Sequence, residues 1–168
     1  MANITFRGTP IHTSGTLPAV GAKCPDFKLT AADLSDKSLA SFAGKKKIIS
    51  IVPSLDTGVC QTSARKFNAE VGKLSDIVLI NISADLPFAQ KRFCDSEKLE
   101  HIVNLSTMRA PAFGSDFGVR IEDGPIAGLL SRAVLVLDAN NIVVHAQQVP
   151  EIGQEPDYAA ALAAASKA

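Results

Sequence analysis

The chain has 168 residues, 46% of them hydrophobic, and its 17 basic and 17 acidic side chains give a formal net charge of zero. This length predicts a single domain over residues 1–168 with one complete core. Because no basic run is longer than Lys45–Lys47, the charge pattern disfavours nucleic-acid or anionic-membrane partners. No apolar stretch reaches the length of about 18 residues that a spanning helix needs, and the N-terminus has no secretory pattern, so we expect a cytoplasmic protein.

The cysteine and histidine spacing argues against a disulfide framework and against a metal site. The three cysteines, Cys24, Cys60 and Cys94, include no C-x-x-C pair and are too few to staple a small fold. The three histidines are scattered, and none lies at the short spacing of structural zinc ligands. We therefore expect no metal and no other cofactor.

In the first half of the chain, the clearest pattern predicts a buried strand followed by a helix. An N-terminal extension rich in Gly, Pro and Thr precedes a strand at 27–30, and residues 31–44 combine turn residues with a short helix that ends at Gly44. The β-branched run 47–52 predicts a strand buried on both faces, which Pro53 ends. A helix over 60–73 follows, capped by Asp56 or Thr57. Its apolar positions recur every three or four residues: Ala64, Phe67, Val71 and Leu74.

The second half continues the alternation of strands and helices. We predict a strand at 76–83, a helix at 87–98 with proline at its start, a short strand at 102–105 and a short helix at 112–117. Strands 132–138 and 142–149 form a hairpin, and a helix at 156–165 ends the pattern. This order is typical of an α/β thioredoxin-like fold, in which helices flank a mixed central sheet, here with an N-terminal extension.

Residues 53–60, Pro-Ser-Leu-Asp-Thr-Gly-Val-Cys, place a cysteine in the first turn of a helix that follows a buried strand. Unpaired backbone N–H groups and the helix dipole stabilise a thiolate there. Asp56 opposes this effect unless its side chain points away. A nearby guanidinium would add to the effect, but spacing alone does not choose among six arginines. By position alone, an inert buried cysteine is an equally good interpretation of Cys60.

The pattern P-x-x-x-T-x-x-C after a buried strand resembles the peroxidatic loop of the peroxiredoxins. The likeness to their atypical two-cysteine thiol peroxidase subfamily extends over nearly the whole chain. The similar segments are Asp-Thr-Gly-Val-Cys at 56–60 with Ser63, Arg65, Lys66 and Phe67, then 83–90, 92–94, 127–134 and 155–159.

The resemblance implies a role for five residues. Cys60 would be the peroxidatic nucleophile, and Cys94 the resolving cysteine that closes an intrachain disulfide. Thr57 and Arg132 would bind the peroxide oxygens and activate the thiolate, and Pro53 would shield the sulfur from water. Because the two cysteines are predicted on different helices, and a disulfide needs Cα atoms within about 7 Å, we expect local rearrangement in each cycle.

The resemblance also implies a peroxidase that reduces hydrogen peroxide or organic hydroperoxides, uses thioredoxin as reductant and forms a homodimer. Two other classes of function are alternatives to the peroxidase. A cysteine hydrolase would pair its thiolate with His101 or His145, and a non-catalytic binding module or holdase would not need Cys60. Cys24 lies outside every matched motif, and we assign it no role.

Overall fold

The computed structural model describes residues 1–168, which form nine strands and four α-helices. The strands are β1 (Asn3–Phe6), β2 (Thr9–His12), β3 (Leu29–Ala31), β4 (Asp36–Lys37), β5 (Lys46–Ile51), β6 (Ile77–Ser83), β7 (Ile102–Ser106), β8 (Ala133–Leu137) and β9 (Val143–Gln148). The helices are α1 (Gly58–Val71), α2 (Pro87–Glu97), α3 (Phe113–Asp116) and α4 (Tyr158–Lys167), with a 3-10 turn at Leu39–Phe42. No helix has the length and apolar character needed to cross a membrane.

Seven strands form one mixed sheet in the order β4-β3-β7-β6-β5-β8-β9. The central strands β5, β6 and β7 are parallel, and β8 runs antiparallel to β5. Alternate residues of a buried strand face opposite sides. Thus Ile49 and Ile80 pack in the larger core cluster with Phe113, while Ile48 and Leu79 pack in a second cluster under α1 and α4. The predicted mixed sheet with flanking helices is confirmed.

The predicted strands and helices agree with the observed ones to within two residues at each end. The apolar face predicted for α1 is wrong at one position, because Leu74 is 38% exposed and lies beyond the helix. The reason is local: Gly72 is the C-cap residue, so the chain leaves the helical path before Leu74.

The N-terminal extension contains a hairpin that the sequence analysis missed. β1 pairs antiparallel with β2, so that Ile4 lies opposite Ile11, and both side chains are buried with Ile121 and Ile152. The turn is Arg7-Gly8, with φ of 52° and 78°. Such a two-residue turn matches the twist of a hairpin, but the short strands lie among Gly, Pro and Thr residues that suggested irregular structure.

We predict that a side chain at Gly118 destabilises the segment that leads into β8. Gly118 has φ +67°, and a Cβ there would lie 2.3 Å from the backbone oxygen of Thr16. The next residue, Val119, accepts a hydrogen bond from the Ser131 N–H, so the contact sets the path of the chain towards β8. Gly118→Ala should lower the free energy of unfolding by about 3 kcal/mol in urea.

Gly8→Ala is the matched control for that substitution. Gly8 also has a positive φ, +78°, but a Cβ there would meet no atom within 4 Å. Gly8→Ala should lower the free energy of unfolding by about 1 kcal/mol, which is the cost of the left-handed backbone alone. Equal losses for the two variants would show that the close approach to Thr16 contributes nothing.

Candidate active site

Cys60 lies in the first turn of α1, where the helix offers unpaired backbone donors. Thr57 is the N-cap residue, and the first helical hydrogen bond runs from the Gln61 N–H to the Thr57 carbonyl. The N–H groups of the preceding residues in the turn therefore have no helical acceptor. No acidic residue lies in this turn, and Cys60 is fully buried. This environment favours a negative charge on the sulfur.

Asp56 does not oppose that charge from within the turn. Its side chain is 71% exposed, and its carboxylate lies 3.9 Å from the Arg92 guanidinium. Of the two expected capping residues, Thr57 occupies the N-cap position, but its side chain makes no capping hydrogen bond.

The Thr57 hydroxyl instead contacts the cysteine. Its Oγ1 lies 2.8 Å from Cys60 Sγ and 2.9 Å from the Ser54 carbonyl oxygen. The hydroxyl has one proton, so it donates to the sulfur when the sulfur is a thiolate, and to the carbonyl when the thiol proton points at Oγ1. Thr57 is exposed while Cys60 is buried, which places this hydroxyl between the sulfur and solvent.

Arg132, which directly precedes β8, brings a guanidinium onto the same sulfur. Its Nη1 and Nη2 both lie 3.4 Å from Cys60 Sγ. Nε and Nη2 also donate to the Ile152 carbonyl oxygen, at 3.0 and 2.9 Å. This second contact fixes the plane of the guanidinium, so that the edge formed by Nη1 and Nη2 faces the sulfur.

The burial of Arg132 shows why an anion is favoured at Cys60. The side chain is permanently charged, yet the residue is only 2% exposed. Glu155 interacts with it electrostatically, but that carboxylate is 40% exposed and accepts a hydrogen bond from Lys66 Nζ at 2.6 Å. Cys60 Sγ is the directly contacting group that can carry a negative charge beside the buried guanidinium, and a buried charge needs such a partner.

Asp85 is a residue of this site that the sequence analysis did not assign. Its carboxylate accepts hydrogen bonds from the Ser54 hydroxyl at 2.7 Å, the Leu55 N–H at 2.8 Å and the Ser83 hydroxyl at 2.8 Å. The parallel strands β5 and β6 end at the same edge of the sheet, so Asp85, just after β6, reaches the loop after β5. This carboxylate positions the loop that carries Thr57. Its place directly after a predicted strand was the available signal.

Cys94, another residue of the predicted set, packs against the small apolar cluster of Leu55, Ala64 and Phe93. It is half-buried in the last turns of α2, and Asn104 Nδ2 on β7 donates to its Sγ at 2.7 Å. Burial is the largest influence on this thiol and raises its pKa, while the Asn104 hydrogen bond lowers it. The structure therefore brings Cys60, Thr57 and Arg132 together, and it holds Cys94 against a different strand.

The remaining cysteine and the histidines lie outside the site. Cys24 is buried, and burial raises its pKa to about 12, so it is a poor nucleophile. His101 precedes β7 and His145 lies within β9. Neither ring is a hydrogen-bond partner of Cys60, whose side-chain partners are Thr57 and Arg132. This arrangement does not support a cysteine–histidine hydrolase.

A cavity of about 630 Å³ beside β3 and β4 is separate from the Cys60 contacts. It is bounded in part by Phe27, Arg109 and Phe113, with none of the predicted site residues in its wall. Cys60 therefore does not open into this cavity.

Comparisons with known proteins identify the family of the chain. Residues 19–162 match the family model described as Redoxin. The chain is 51% identical to the thiol peroxidase of Streptococcus sanguinis over 160 residues, which cover 95% of this chain and 96% of that protein. A peroxiredoxin-like protein from Aquifex aeolicus superposes with a TM-score of 0.93 at 33% identity, covering 99% of this chain and 97% of the other. A thiol peroxidase from Chromobacterium violaceum shares the fold, with a TM-score of 0.91 at 24% identity and coverage of 98% and 95%. The chain therefore belongs to the redoxin family, and within it to the thiol-dependent peroxidases of the peroxiredoxin group.

Proposed function

We propose that Cys60 is the peroxidatic nucleophile of this peroxidase and that it reduces hydrogen peroxide or organic hydroperoxides. The observation that carries this proposal is the pair of 3.4 Å contacts from the buried Arg132 guanidinium to Cys60 Sγ. They favour the thiolate, which is the nucleophilic form of the sulfur. The proposed chemistry takes place within one small cluster at the N-terminus of α1.

In the first step, the thiolate attacks one peroxide oxygen. A sulfur–oxygen bond forms, the oxygen–oxygen bond breaks, and the departing oxygen leaves with the bonding electrons and takes a proton to become water or an alcohol. Cys60 becomes a sulfenic acid. The Thr57 hydroxyl and the Arg132 N–H groups, all within 3.4 Å of the sulfur, are placed to hold the peroxide in line and to stabilise the developing negative charge. Pro53, buried at the end of β5, keeps bulk water from the sulfur.

In the second step, Cys94 attacks the sulfenic acid and closes an intrachain disulfide. Cys94 is held by Asn104 on β7 and Cys60 by Arg132 at the start of β8, and β6 and β5 lie between those strands. Both cysteines are free thiols that are held by these separate partners. Because a disulfide needs Cα atoms within about 7 Å, we expect the first turn of α1 to leave its position during the cycle and to bring Cys60 to Cys94, which stays against Asn104.

Thioredoxin is the proposed reductant, since an accessible dithiol is the chemical class that reopens such a disulfide. We also propose a homodimer and a cytoplasmic location, where thioredoxin is kept reduced. The sulfurs carry the electrons, so the proposed cycle needs no metal or prosthetic group.

Thioredoxin-coupled peroxide consumption tests this assignment directly. The wild-type protein should consume hydrogen peroxide with oxidation of the thioredoxin system, whereas Cys60→Ser should not. A non-catalytic binding module or holdase would show no turnover in either protein. Turnover retained by Cys60→Ser would show that another group is the nucleophile.

Removing the guanidinium should reduce the thiolate population of Cys60. In a Cys24→Ser/Cys94→Ser background, Arg132→Ala should slow iodoacetamide alkylation at pH 7 by about tenfold, because a charge-assisted contact to the sulfur is lost. Arg132→Lys keeps the charge but cannot place two N–H groups on the sulfur. Its alkylation rate should therefore lie between the rate with Arg132 and the rate of Arg132→Ala. Circular dichroism checks that each variant is folded, and an unchanged alkylation rate in folded Arg132→Ala would remove the electrostatic explanation.

Removing the Thr57 hydroxyl should affect peroxide reduction more than thiolate formation. Thr57→Val keeps the β-branched shape but loses the donor, so kcat/KM for hydrogen peroxide should fall by roughly 10- to 100-fold. Alkylation at pH 7 should change much less. Thr57→Ser, which keeps a hydroxyl, is the matched control and should retain most of the activity; loss of activity in both variants alike would point to a steric role.

Removing Cys94 should stall the cycle after one turnover. Cys94→Ser should react once with peroxide, accumulate sulfenic acid and become prone to further oxidation, because no internal thiol closes the disulfide. Cys24→Ser should turn over normally. Peptide mapping after one equivalent of peroxide should find a Cys60–Cys94 bridge within one chain, and a bridge to Cys24 or between chains would contradict the scheme.

A further inference from the structure

A row of polar residues crosses one face of the central sheet. In the strand register, Ser50 on β5 lies beside Asn81 on β6, and Asn81 lies beside Asn104 on β7. These residues are 4%, 1% and 8% exposed. On one side of this row, two residues back along β5 and β6, Ile48 and Leu79 are apolar and fully buried.

The two carboxamides of this row form a directed chain of hydrogen bonds. Asn81 Nδ2 donates to Asn104 Oδ1 at 2.9 Å, and Asn104 Nδ2 donates to Cys94 Sγ at 2.7 Å. The first bond fixes which end of the Asn104 amide faces the sulfur. With its oxygen occupied by Asn81, Asn104 presents a donor to Cys94. Burying two primary amides costs free energy unless they are hydrogen-bonded. Here the two hydrogen bonds run from Asn81 through Asn104 and end at the Cys94 sulfur.

We propose that Asn104 activates Cys94 for the resolving step by donating a hydrogen bond to its thiolate, and that Asn81 is the positioning residue that holds the Asn104 amide in the donating orientation. The proposal rests on the proposed function, in which Cys94 is the resolving cysteine. It assigns a chemical role to two residues outside the Cys60 cluster.

The resolving step shows where this donor acts. The Cys94 thiolate attacks the sulfur of the Cys60 sulfenic acid, a sulfur–sulfur bond forms, and the sulfur–oxygen bond breaks. The oxygen leaves as hydroxide and takes up the proton that Cys94 has lost, so the products are the disulfide and water. Ionisation of Cys94 precedes the attack. A donor that stabilises the thiolate raises the fraction of molecules ready to react.

Other groups around Cys94 do not replace the amide donor. Burial and the adjacent Asp95 raise the pKa of Cys94, and the Asn104 hydrogen bond is the influence that lowers it. Cys94 and Asn104 line a cavity of about 350 Å³. Its charged residues are Lys91 and Asp95 on α2, Asp33 between β3 and β4, and Lys37 on β4. Lys91 is paired with Asp95. On the α1 side, Arg65 is paired with Glu97 at 2.7 Å, and β7 contributes no charged residue to the cavity wall.

The test replaces both amides at once. A single substitution would leave the other amide buried without its partner, whereas replacing both with apolar residues removes that penalty. Asn81→Val/Asn104→Val suits two strand positions and should remain folded. Ser50→Ala, in the same buried row but outside the amide chain, is the matched control.

Two measurements separate a chemical role from a structural one. First, after one equivalent of hydrogen peroxide at pH 7, acid quenching and mass spectrometry follow the conversion of sulfenic acid to disulfide. This conversion should be about tenfold slower in the double Val variant, while oxidation of Cys60 keeps its wild-type rate. Second, thiolate absorbance at 240 nm is titrated in a Cys24→Ser/Cys60→Ser background, where Cys94 is the only thiol. The midpoint should rise by about one pH unit in the double Val variant and stay unchanged in Ser50→Ala.

The single tyrosine does not mask that titration, because burial raises the pKa of Tyr158 to about 12. An unchanged midpoint in a folded double Val variant would overturn the proposal, and slower disulfide formation would then reflect packing alone. If the wild-type protein formed no Cys60–Cys94 bridge, the proposed function itself would fail before any variant was compared.

Discussion

The contact between a buried guanidinium and a buried sulfur is the constraint on which the site depends. Arg132 is always charged and almost fully buried, and it is held by the Ile152 carbonyl so that two N–H groups face Cys60. A neutral thiol would leave this cation without an anionic partner in direct contact. The N-terminus of α1 and the Thr57 hydroxyl favour the same charge state. In the proposed function, the Cys60 thiolate is the anionic partner of a cation that the fold has already buried.

The same contacts bear on the proposed cycle, because they hold Cys60 and Cys94 through separate partners. Cys60 is fixed towards β8, while Cys94 is fixed towards β7 by Asn104. The ion pair between Arg65 and Glu97 also ties α1 to α2. Each contact stabilises the reduced protein, and each holds one partner of the disulfide that the proposed cycle forms. In that cycle, peroxide reduction favours this closed arrangement, whereas resolution requires that the first turn of α1 open.

The sequence predicted the elements of the sheet well because their signals are local. The β-branched run that became β5, and the proline that starts α2, each specify their own conformation. The partners of the reactive groups are different, since they come from distant parts of the chain. Spacing could not select Arg132 among six arginines, and only family resemblance singled it out. The place of Asp85 after a predicted strand was a signal, but it did not identify the partners that the pairing of β5 with β6 brings to it. Asn104 gave no local signal, because the pairing of β6 with β7 and the packing of α2 bring its two partners to it.

The charge state of Cys60 at neutral pH is the most direct test of this view of the site. Thiolate absorbance at 240 nm, measured at pH 7 on the reduced protein and on each single cysteine-to-serine variant, reports that charge without any reaction. A thiolate held by Arg132 predicts clear absorbance in the wild type, in Cys24→Ser and in Cys94→Ser, and its loss in Cys60→Ser. Wild-type absorbance no greater than that of Cys60→Ser would mean that the buried guanidinium faces a neutral thiol, and it would contradict the central role given to this contact.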